Sequence, residues 1–434
     1  MKDVLLALVR FLAHLFYRDV EVAGLSNIPR EGPVFLVANH QNGLVDPMLV
    51  LATLPRDVVF VAKSTLWRIP LLRSVLDLFG VVPVVRRADV AKEGEPGGQD
   101  RNDQSFQRLA GVLRSGGAVL LFPEGRSHSD PALSPMRTGA ARILLLADVP
   151  AAIVPLGFWF QKKEEFRSDV LMSYGAPVVP AERSVDGITE AIREGLEAVT
   201  LNASSWDEHA AVRAVEFLYG EKLPLEGGEG LARHFRSRKV LLEARPALEA
   251  REPGAVDALI QRARVLERLL LREGLAPKDL DGAPPLARVV REAASSVAVL
   301  ALGLPLALIG LLAFFVPYQL VGIVVKRLLT KEQLDQISLY KILVGLVLHV
   351  AAWAAIVGGL FLWIGALPAV GAAVLLPLAG YVALVVSERF QRDRGRLRAF
   401  LTLVFSRDRL GLLRKERDDL VAECERLAAR LPPA

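Results

Sequence analysis

The chain has 434 residues, more than one ordinary domain, and this length predicts two or more regions. Its hydrophobic content of 52% and its positive mean hydropathy are high for a soluble enzyme and indicate membrane segments. The formal net charge of +5 lacks the density of Lys and Arg that nucleic-acid binding needs, so contact with anionic lipid is favoured. The single cysteine, Cys424, excludes an internal disulfide, and no Cys/His cluster has metal-ligand spacing.

Residues 1–19 predict an amphipathic helix. Apolar side chains recur there at helical spacing, with Lys2 and Arg18 among the polar positions. Arg10 interrupts the apolar run and no small-residue cleavage site follows, which argues against a signal peptide. Two interpretations stay open: a helix packed on its own domain, or an interfacial helix that lies on the bilayer.

Residues 20–203 predict an α/β domain. Short apolar runs at 34–38, 118–122 and 152–156 resemble buried strands, and segments of helical periodicity separate them. The polar stretch 91–100 predicts a surface loop inside this domain. Residues 204–290, rich in Glu, Arg, Leu and Ala, predict a helical region with charged faces.

Two long apolar stretches within residues 291–388 predict helices embedded in a membrane. The second, at about 342–386, holds two spans that turn near residues 365–368. The first, at about 295–325, contains Pro305 and Pro317, and is too long for one span and short for two. It predicts a re-entrant hairpin, or one helix plus an interfacial turn.

Basic residues flank these stretches and bear on their orientation. Clusters of Lys and Arg lie at 326–341 and 389–398, and the positive-inside tendency predicts that both stretches return to the cytoplasmic side, where the catalytic domain would lie. Residues 389–434 predict a basic amphipathic helix that serves packing or oligomerisation.

The segment 34–50 carries the central chemical feature. A strand ends at Ala38, His40 follows at its tip, and Asp46-Pro47 reads as a helix start with Asp as the N-cap. A carboxylate on one imidazole nitrogen would fix the tautomer and leave the other nitrogen to take a proton from a substrate hydroxyl. By itself, the pair could equally be a helix cap beside an exposed histidine.

Three further segments follow buried strands. Arg86 and Arg87 end the strand that begins near Gly80, and arginine can grip phosphate with two parallel hydrogen bonds. In the turn 122–127, Gly125 permits close backbone approach, while Glu124 and Arg126 can hydrogen-bond a polar headgroup. Residues 154–155 end a third strand. Individually, each of these signals is weak.

In this order, the four segments resemble the glycerolipid acyltransferase superfamily typified by bacterial lysophosphatidate acyltransferases. The resemblance covers about residues 10–200 and includes the sequence between the four segments at 60–63, 69–70 and 137–140. It implies a glycerol-3-phosphate acyltransferase-like sheet with flanking helices, here followed by the helical region and the membrane-embedded helices. It also implies roles: His40 as general base, Asp46 as its orienting carboxylate, and a substrate site with the residues Arg86, Glu124, Gly125, Arg126 and Lys63.

Two departures from the family pattern bear on the acceptor. Five residues, rather than the commoner four, separate His40 from Asp46, and the third block lacks the Thr that often precedes Arg. The five-residue gap and the sequence of residues 200–203 resemble those of the fungal branch that acylates glycerol-3-phosphate or dihydroxyacetone phosphate.

The expected reaction is attack of a glycerol-phosphate-type hydroxyl on an acyl thioester carried by coenzyme A or acyl carrier protein, at a phospholipid bilayer and without a cofactor. Neither a Gly-x-Ser-x-Gly elbow nor a nucleophilic cysteine near the motifs predicts an acyl-enzyme. A non-catalytic scaffold or lipid-binding protein with the same fold is the alternative from another class, and a hydrolase is a third interpretation.

Overall fold

The structure of the protein is a computed structural model. It describes residues 1–85, 98–225, 229–252, 254–282, 286–329 and 336–430. The chain divides into two compact units. One unit (1–206, 226–239 and 331–339) contains the sheet. The other (207–225, 240–330 and 340–434) is helical wherever the structure describes regular elements.

A seven-stranded sheet forms the centre of the first unit, in the order β1-β7-β6-β2-β5-β3-β4. The strands are β1 Tyr17–Ala23, β2 Val34–Ala38, β3 Val58–Lys63, β4 Val82–Val84, β5 Ala118–Leu121, β6 Ala152–Phe160 and β7 Ser168–Tyr174. Strands β2 to β6 are mutually parallel, β7 pairs antiparallel with β6, and β1 runs parallel to β7. The carboxyl ends of five parallel strands therefore share one edge.

The three apolar runs of the sequence form β2, β5 and the first part of β6. The third run does not end at Pro155 as predicted, because residues 156–160 continue the strand by pairing antiparallel with β7. The sequence pattern did not predict β1 and β7, which form one side of the sheet.

In the described part of the chain, six helices accompany the sheet. They are α1 Lys2–Phe16, α2 Val45–Thr53, α3 Pro70–Leu78, α4 Gly98–Arg114, α5 Gly139–Ala147 and α6 Val185–Val199. Apolar side chains of α4, α5 and α6 pack on β2 and β5 in one continuous core. The predicted loop 91–100 lies outside the described residues as far as 97, and α4 begins at Gly98. The α/β class with flanking helices is therefore confirmed.

Helix α1 has one packed and one exposed apolar face. Ala13 and Phe16 are buried, and the helix contacts α2. Val4, Leu8 and Phe11 lie three or four positions apart and are exposed. The helix therefore packs on its own domain and also carries an exposed apolar stripe of the kind that interfacial helices bury in a bilayer.

After the sheet, the regular elements that the structure describes are helices. Helices α7 Trp206–Tyr219, α8 Gly230–Arg251 and α9 Ala255–Glu273 come before the apolar stretches, and α13 Arg407–Ala428 ends the described chain. Side chains of α7, α9 and α13 form one apolar core that includes Cys424. Burial raises the pKa of the Cys424 thiol to about 12, so this cysteine stays protonated at neutral pH.

Among the described residues, three helices are long and apolar enough to cross a membrane: α10 Leu286–Leu328, α11 Ile337–Trp363 and α12 Ala366–Phe405. The second apolar stretch forms two helices with a turn at residues 364–365, close to the predicted position. The first stretch is one continuous helix, so the predicted re-entrant hairpin is wrong. Pro305 and Pro317 lie inside α10, and apolar helices tolerate proline where neighbouring helices and local adjustments satisfy the freed carbonyls.

Helices α10 and α12 pack antiparallel. Arg389 donates to Ser295 and Ser296 near the start of the α10 apolar segment, while Gly310 lies against the Ala379 backbone further along. Small residues at such contacts let helix backbones approach closely. The basic segment after residue 388 therefore lies at the same end of this pair as the start of α10, whereas Lys326 and Arg327 lie at the other end. The prediction that the first apolar stretch returns to the side where it begins is therefore wrong.

Candidate active site

The site begins where β2 ends, in the middle of the parallel strands. Asn39 follows the last strand residue, and its side chain pairs with the Phe158 backbone on β6: Oδ1 accepts from Phe158 N at 2.7 Å and Nδ2 donates to Phe158 O at 3.2 Å. These two hydrogen bonds extend the β2–β6 pairing through the Asn39 side chain. They fix the backbone that leads into His40.

His40 and Asp46 meet as the sequence predicts. The distance from His40 Nδ1 to Asp46 Oδ2 is 2.9 Å, and Oδ2 also accepts the backbone N–H groups of Gln41 and Asn42, each at 2.9 Å. Asp46 is not the N-cap, however. Helix α2 begins at Val45, so Asp46 lies in its first turn, and its carboxylate points back into the preceding loop. The loop donors hold the carboxylate that in turn orients the imidazole.

The second ring nitrogen of His40, Nε2, is available to accept a proton. With Nδ1–H donated to the carboxylate, Nε2 carries the free lone pair, and it has no hydrogen-bond partner among the residues that the structure describes. The ring stacks on Phe122 with centroids 4.0 Å apart and is 11% exposed. A substrate hydroxyl that reaches Nε2 would meet a base whose tautomer and plane are already fixed.

Asn42 anchors the loop between His40 and Asp46. Asn42 Nδ2 donates to the Tyr17 hydroxyl at 2.8 Å, and Tyr17 donates to the Lys163 carbonyl at 3.3 Å. Burial and the charge of Asp46 raise the pKa of Tyr17 above its ordinary value, so the phenol remains a neutral donor. The loop between His40 and Asp46 is thus tied by a polar contact to the junction of α1 and β1.

Glu124 does not lie where the resemblance suggests. Its side chain is buried, Oε1 accepts His40 N–H at 2.9 Å, and Oε2 accepts Ser134 N–H at 2.6 Å and the His128 ring nitrogen. Three donors of the protein therefore occupy this carboxylate, and we correct its assignment from substrate binding to support of the catalytic loop. A buried carboxylate needs such donors to offset its lost hydration.

Replacing Glu124 with glutamine tests this correction. Because each group facing the carboxylate is a donor, the new amide must place its own N–H₂ against one of them. We expect E124Q to lower the free energy of unfolding by about 1–3 kcal/mol, measured by thermal unfolding. The exposed Glu165, paired with Lys162, gives the control E165Q. An E124Q protein as stable as E165Q, with a raised acceptor KM, would restore the substrate-binding role.

The cationic residues of the predicted substrate site differ in exposure and in hydrogen-bond partners. Arg126 is exposed and donates to Asp130 at 2.9 Å and Ser134 at 3.1 Å. Lys63 is half-buried at the end of β3, and Arg86 lies outside the described residues. Gly125 adopts a φ of +71°, which favours glycine, and its N–H donates to Phe122 O within the turn. None of these contacts involves a metal, and the described residues contain no group of three His, Cys, Asp or Glu placed to hold one.

Two residues of this edge were not singled out as site residues. His128 contacts Glu124 from four residues further along the chain. Arg137 lies against the turn, since a Cβ added at Gly125 would be 3.3 Å from Arg137 Cγ. Arg137 belongs to the segment 137–140, which resembles the acyltransferase superfamily. The sequence alone does not show that Arg137 lies against the turn 122–127.

Comparisons with known proteins show several similarities. Residues 19–159 match the family model "Acyltransferase". Glycerol-3-phosphate O-acyltransferase 2 of Saccharomyces cerevisiae is 33% identical over 27% of this chain and 18% of its own length. The chloroplastic 1-acyl-sn-glycerol-3-phosphate acyltransferase of Brassica napus is 30% identical over 32% of this chain and 37% of its own length. The match to the crystal structure of the 1-acyl-sn-glycerophosphate acyltransferase PlsC of Thermotoga maritima covers 45% of this chain and 79% of the PlsC chain. The sequence identity is 20% and the TM-score is 0.35.

The segment that matches this family model contains His40, Asp46 and the turn 122–127. The chain spans less than half the length of the two curated relatives named above. Their names include both a glycerol-3-phosphate and a 1-acylglycerol-3-phosphate acyltransferase.

Proposed function

We propose that the protein is a membrane-bound O-acyltransferase of phospholipid biosynthesis. It would move a fatty acyl group from acyl-CoA or acyl carrier protein to a hydroxyl of glycerol-3-phosphate or 1-acyl-sn-glycerol-3-phosphate. The observation that carries this proposal is the His40 ring, whose Nδ1 is held by Asp46 at 2.9 Å while Nε2 has no partner among the described residues. The match to the acyltransferase family model and the acceptors in the relatives' names support the same reaction.

The chemistry follows from this arrangement. His40 Nε2 takes the proton of the acceptor hydroxyl as its oxygen attacks the thioester carbonyl carbon. The resulting imidazolium is stabilised by the Asp46 carboxylate. When the tetrahedral intermediate collapses, the carbon–sulfur bond breaks, and the leaving thiolate takes the proton from Nε2. The ester forms, the free thiol is released, and no covalent acyl-enzyme or cofactor is required.

The oxyanion of that intermediate needs donors near the turn that follows β5. The N–H of Gly125 itself donates to Phe122 O, so it is already occupied. The next N–H, that of Arg126, has no hydrogen bond to any residue that the structure describes. We assign this group as the backbone donor closest in the chain to the expected position.

Arg137 is the guanidinium we assign to a substrate phosphate. It is exposed beside Gly125 and makes no side-chain hydrogen bond or ion pair with the described residues. Arg126, by contrast, already has Asp130 and Ser134 as partners. An arginine without a carboxylate partner next to the catalytic turn can give two parallel N–H donors to a phosphate.

Replacing Arg137 with methionine should raise KM for the phosphorylated acceptor by about 10–100-fold, since a hydrogen bond to a charged group contributes about 1.5–3 kcal/mol. Initial rates at varied acceptor and varied acyl-CoA concentrations measure this. Arg142, an exposed arginine of α5 that pairs with Asp103, gives the control R142M. A rise in the KM for acyl-CoA alone would instead assign Arg137 to the donor's phosphates, and no change in either KM would remove it from the site.

Membrane attachment is part of the proposal. Helices α10, α11 and α12 have the length and composition of membrane spans, and α1 adds an exposed apolar stripe. This arrangement would keep the site close to lipid acceptors and products. We propose that the catalytic domain faces the cytoplasm, where acyl-CoA and acyl carrier protein occur.

A panel of acceptors tests the proposed function. Purified protein in detergent is given acyl-CoA with glycerol-3-phosphate, dihydroxyacetone phosphate, lysophosphatidate or an uncharged monoacylglycerol, and the lipid product is identified by mass spectrometry. We expect a product with at least one phosphorylated acceptor and a much slower reaction with monoacylglycerol. Absence of product with every acceptor and both thioester carriers would favour the non-catalytic scaffold.

A further inference from the structure

The turn after β5 holds the backbone of His40 from both sides. Glu124 Oε1 accepts His40 N–H at 2.9 Å, and the backbone N–H of His128 donates to His40 C=O at 3.0 Å. Both polar groups of the His40 main chain are therefore bound by residues only four positions apart. The catalytic residue at the end of β2 is fixed by the segment that follows the neighbouring strand β5.

The His128 ring completes this clamp. Its side chain is 4% exposed, and Nδ1 lies 3.1 Å from the Asp130 backbone nitrogen and 3.2 Å from the Asp130 carboxylate oxygen Oδ2. An ionised carboxylate can only accept hydrogen bonds, so His128 Nε2 donates its N–H to Glu124 Oε2. That bond and the Ser134 N–H hold one carboxylate oxygen, which leaves the other directed at His40 N–H.

We propose that His128 is a positioning residue for the acyl transfer: through Glu124 it keeps the His40 main chain, and hence Nε2 of the catalytic ring, in place for proton transfer. This inference rests on the proposed function. It assigns His128 no contact with substrate, because the ring is buried and both of its nitrogens are bonded to the protein. Small displacements of a catalytic group cost rate even when binding is unchanged.

Three substitutions separate positioning from simple structural support. In H128Q the side-chain amide nitrogen takes nearly the place of Nε2 and can still donate to Glu124. In H128N the amide falls short of it, and in H128L there is no donor. We expect H128L and H128N to lower kcat by about 10–100-fold, with acceptor and acyl-CoA KM values within a factor of about two, and H128Q to retain most of the wild-type kcat.

The results that overturn the proposal are specific. Equal loss of kcat in H128Q and H128N would show that donation to Glu124 is not what matters. An unchanged kcat in H128N would remove the positioning role, and a changed KM with unchanged kcat would make His128 a substrate ligand. If H128L does not fold, the comparison of H128Q with H128N, both polar, decides the question alone.

A readout without turnover distinguishes failure of this inference from failure of the proposed function. The rate at which diethyl pyrocarbonate modifies His40 is followed by peptide mass spectrometry in the full-length protein. We expect H128Q to match wild type and H128N to differ severalfold, because the orientation and accessibility of His40 Nε2 change. If the wild-type protein transferred no acyl group, the proposed function would fail, yet this comparison would still decide whether His128 positions His40. Identical modification rates in the two variants would contradict the clamp.

Discussion

Replacing His40 with alanine is expected to reduce acyl transfer by about 10²–10⁴-fold, the usual contribution of general-base assistance. The ring is the only part that the substitution removes. The backbone bonds of residue 40 to Glu124 and His128, and the two loop N–H bonds to Asp46, can all persist. Activity should therefore be lost without loss of the fold, as measured by initial rates beside circular dichroism and the unfolding temperature.

The exposed His14 on α1 provides the matched control for that experiment. H14A removes a histidine from the same unit but not from the site, so it should keep the wild-type rate. A normal rate in H40A, with H14A also normal, would exclude His40 as the base. Loss of activity together with unfolding in H40A would show that the ring has a structural role that the contacts do not account for.

Replacing Asp46 with asparagine should have the second-largest effect, since it removes a charge and leaves a donor unsatisfied. If the amide oxygen keeps the place of Oδ2, the amide nitrogen takes the place of Oδ1, which is buried and has no partner among the described residues. That burial costs about 1–3 kcal/mol of stability. The imidazolium formed during transfer also loses its counter-charge, so kcat should fall by a factor on the order of 10²–10⁴.

Asp57, an exposed partner of Lys2, gives the control D57N, for which neither kcat nor the unfolding temperature should change much. The double variant H40A/D46N adds a sharper criterion. If Asp46 acts through His40, its substitution should lower kcat little further once the imidazole is absent. Additive losses of rate in the double variant would mean that Asp46 contributes independently of His40.

Much of the sheet and the contact between His40 and Asp46 could be predicted because each has a local signature. Strands β2 and β5 are continuous apolar runs, and such runs are typical of parallel strands buried on both faces. His40 and Asp46 are separated by only five residues, so a short loop suffices to bring them together. Strand β1 has no such signature: it follows α1 without a break in the chain, and four of its seven residues are half-buried.

The misassigned parts depend on contacts that no local pattern encodes. Glu124 carries the same side chain whether it faces a substrate or three donors of the protein, and only the approach of residues 40, 128 and 134 decides between them. In the same way, two prolines inside an apolar stretch indicate a break, yet α10 continues through Pro305 and Pro317. Its packing against α12 is a long-range feature that the stretch itself does not reveal.

The fate of a labelled acyl group tests the central claim most directly. Purified protein is incubated with acyl-CoA labelled in the acyl chain, with and without the acceptor that the panel selects, and the label is separated into lipid, free fatty acid and unreacted thioester. General-base transfer by His40 predicts label in the acylated glycerol-phosphate only when the acceptor is present, little free acid, and neither product from H40A. Release of free acid at the same rate with or without acceptor, or a lipid product formed by H40A at the wild-type rate, would contradict it.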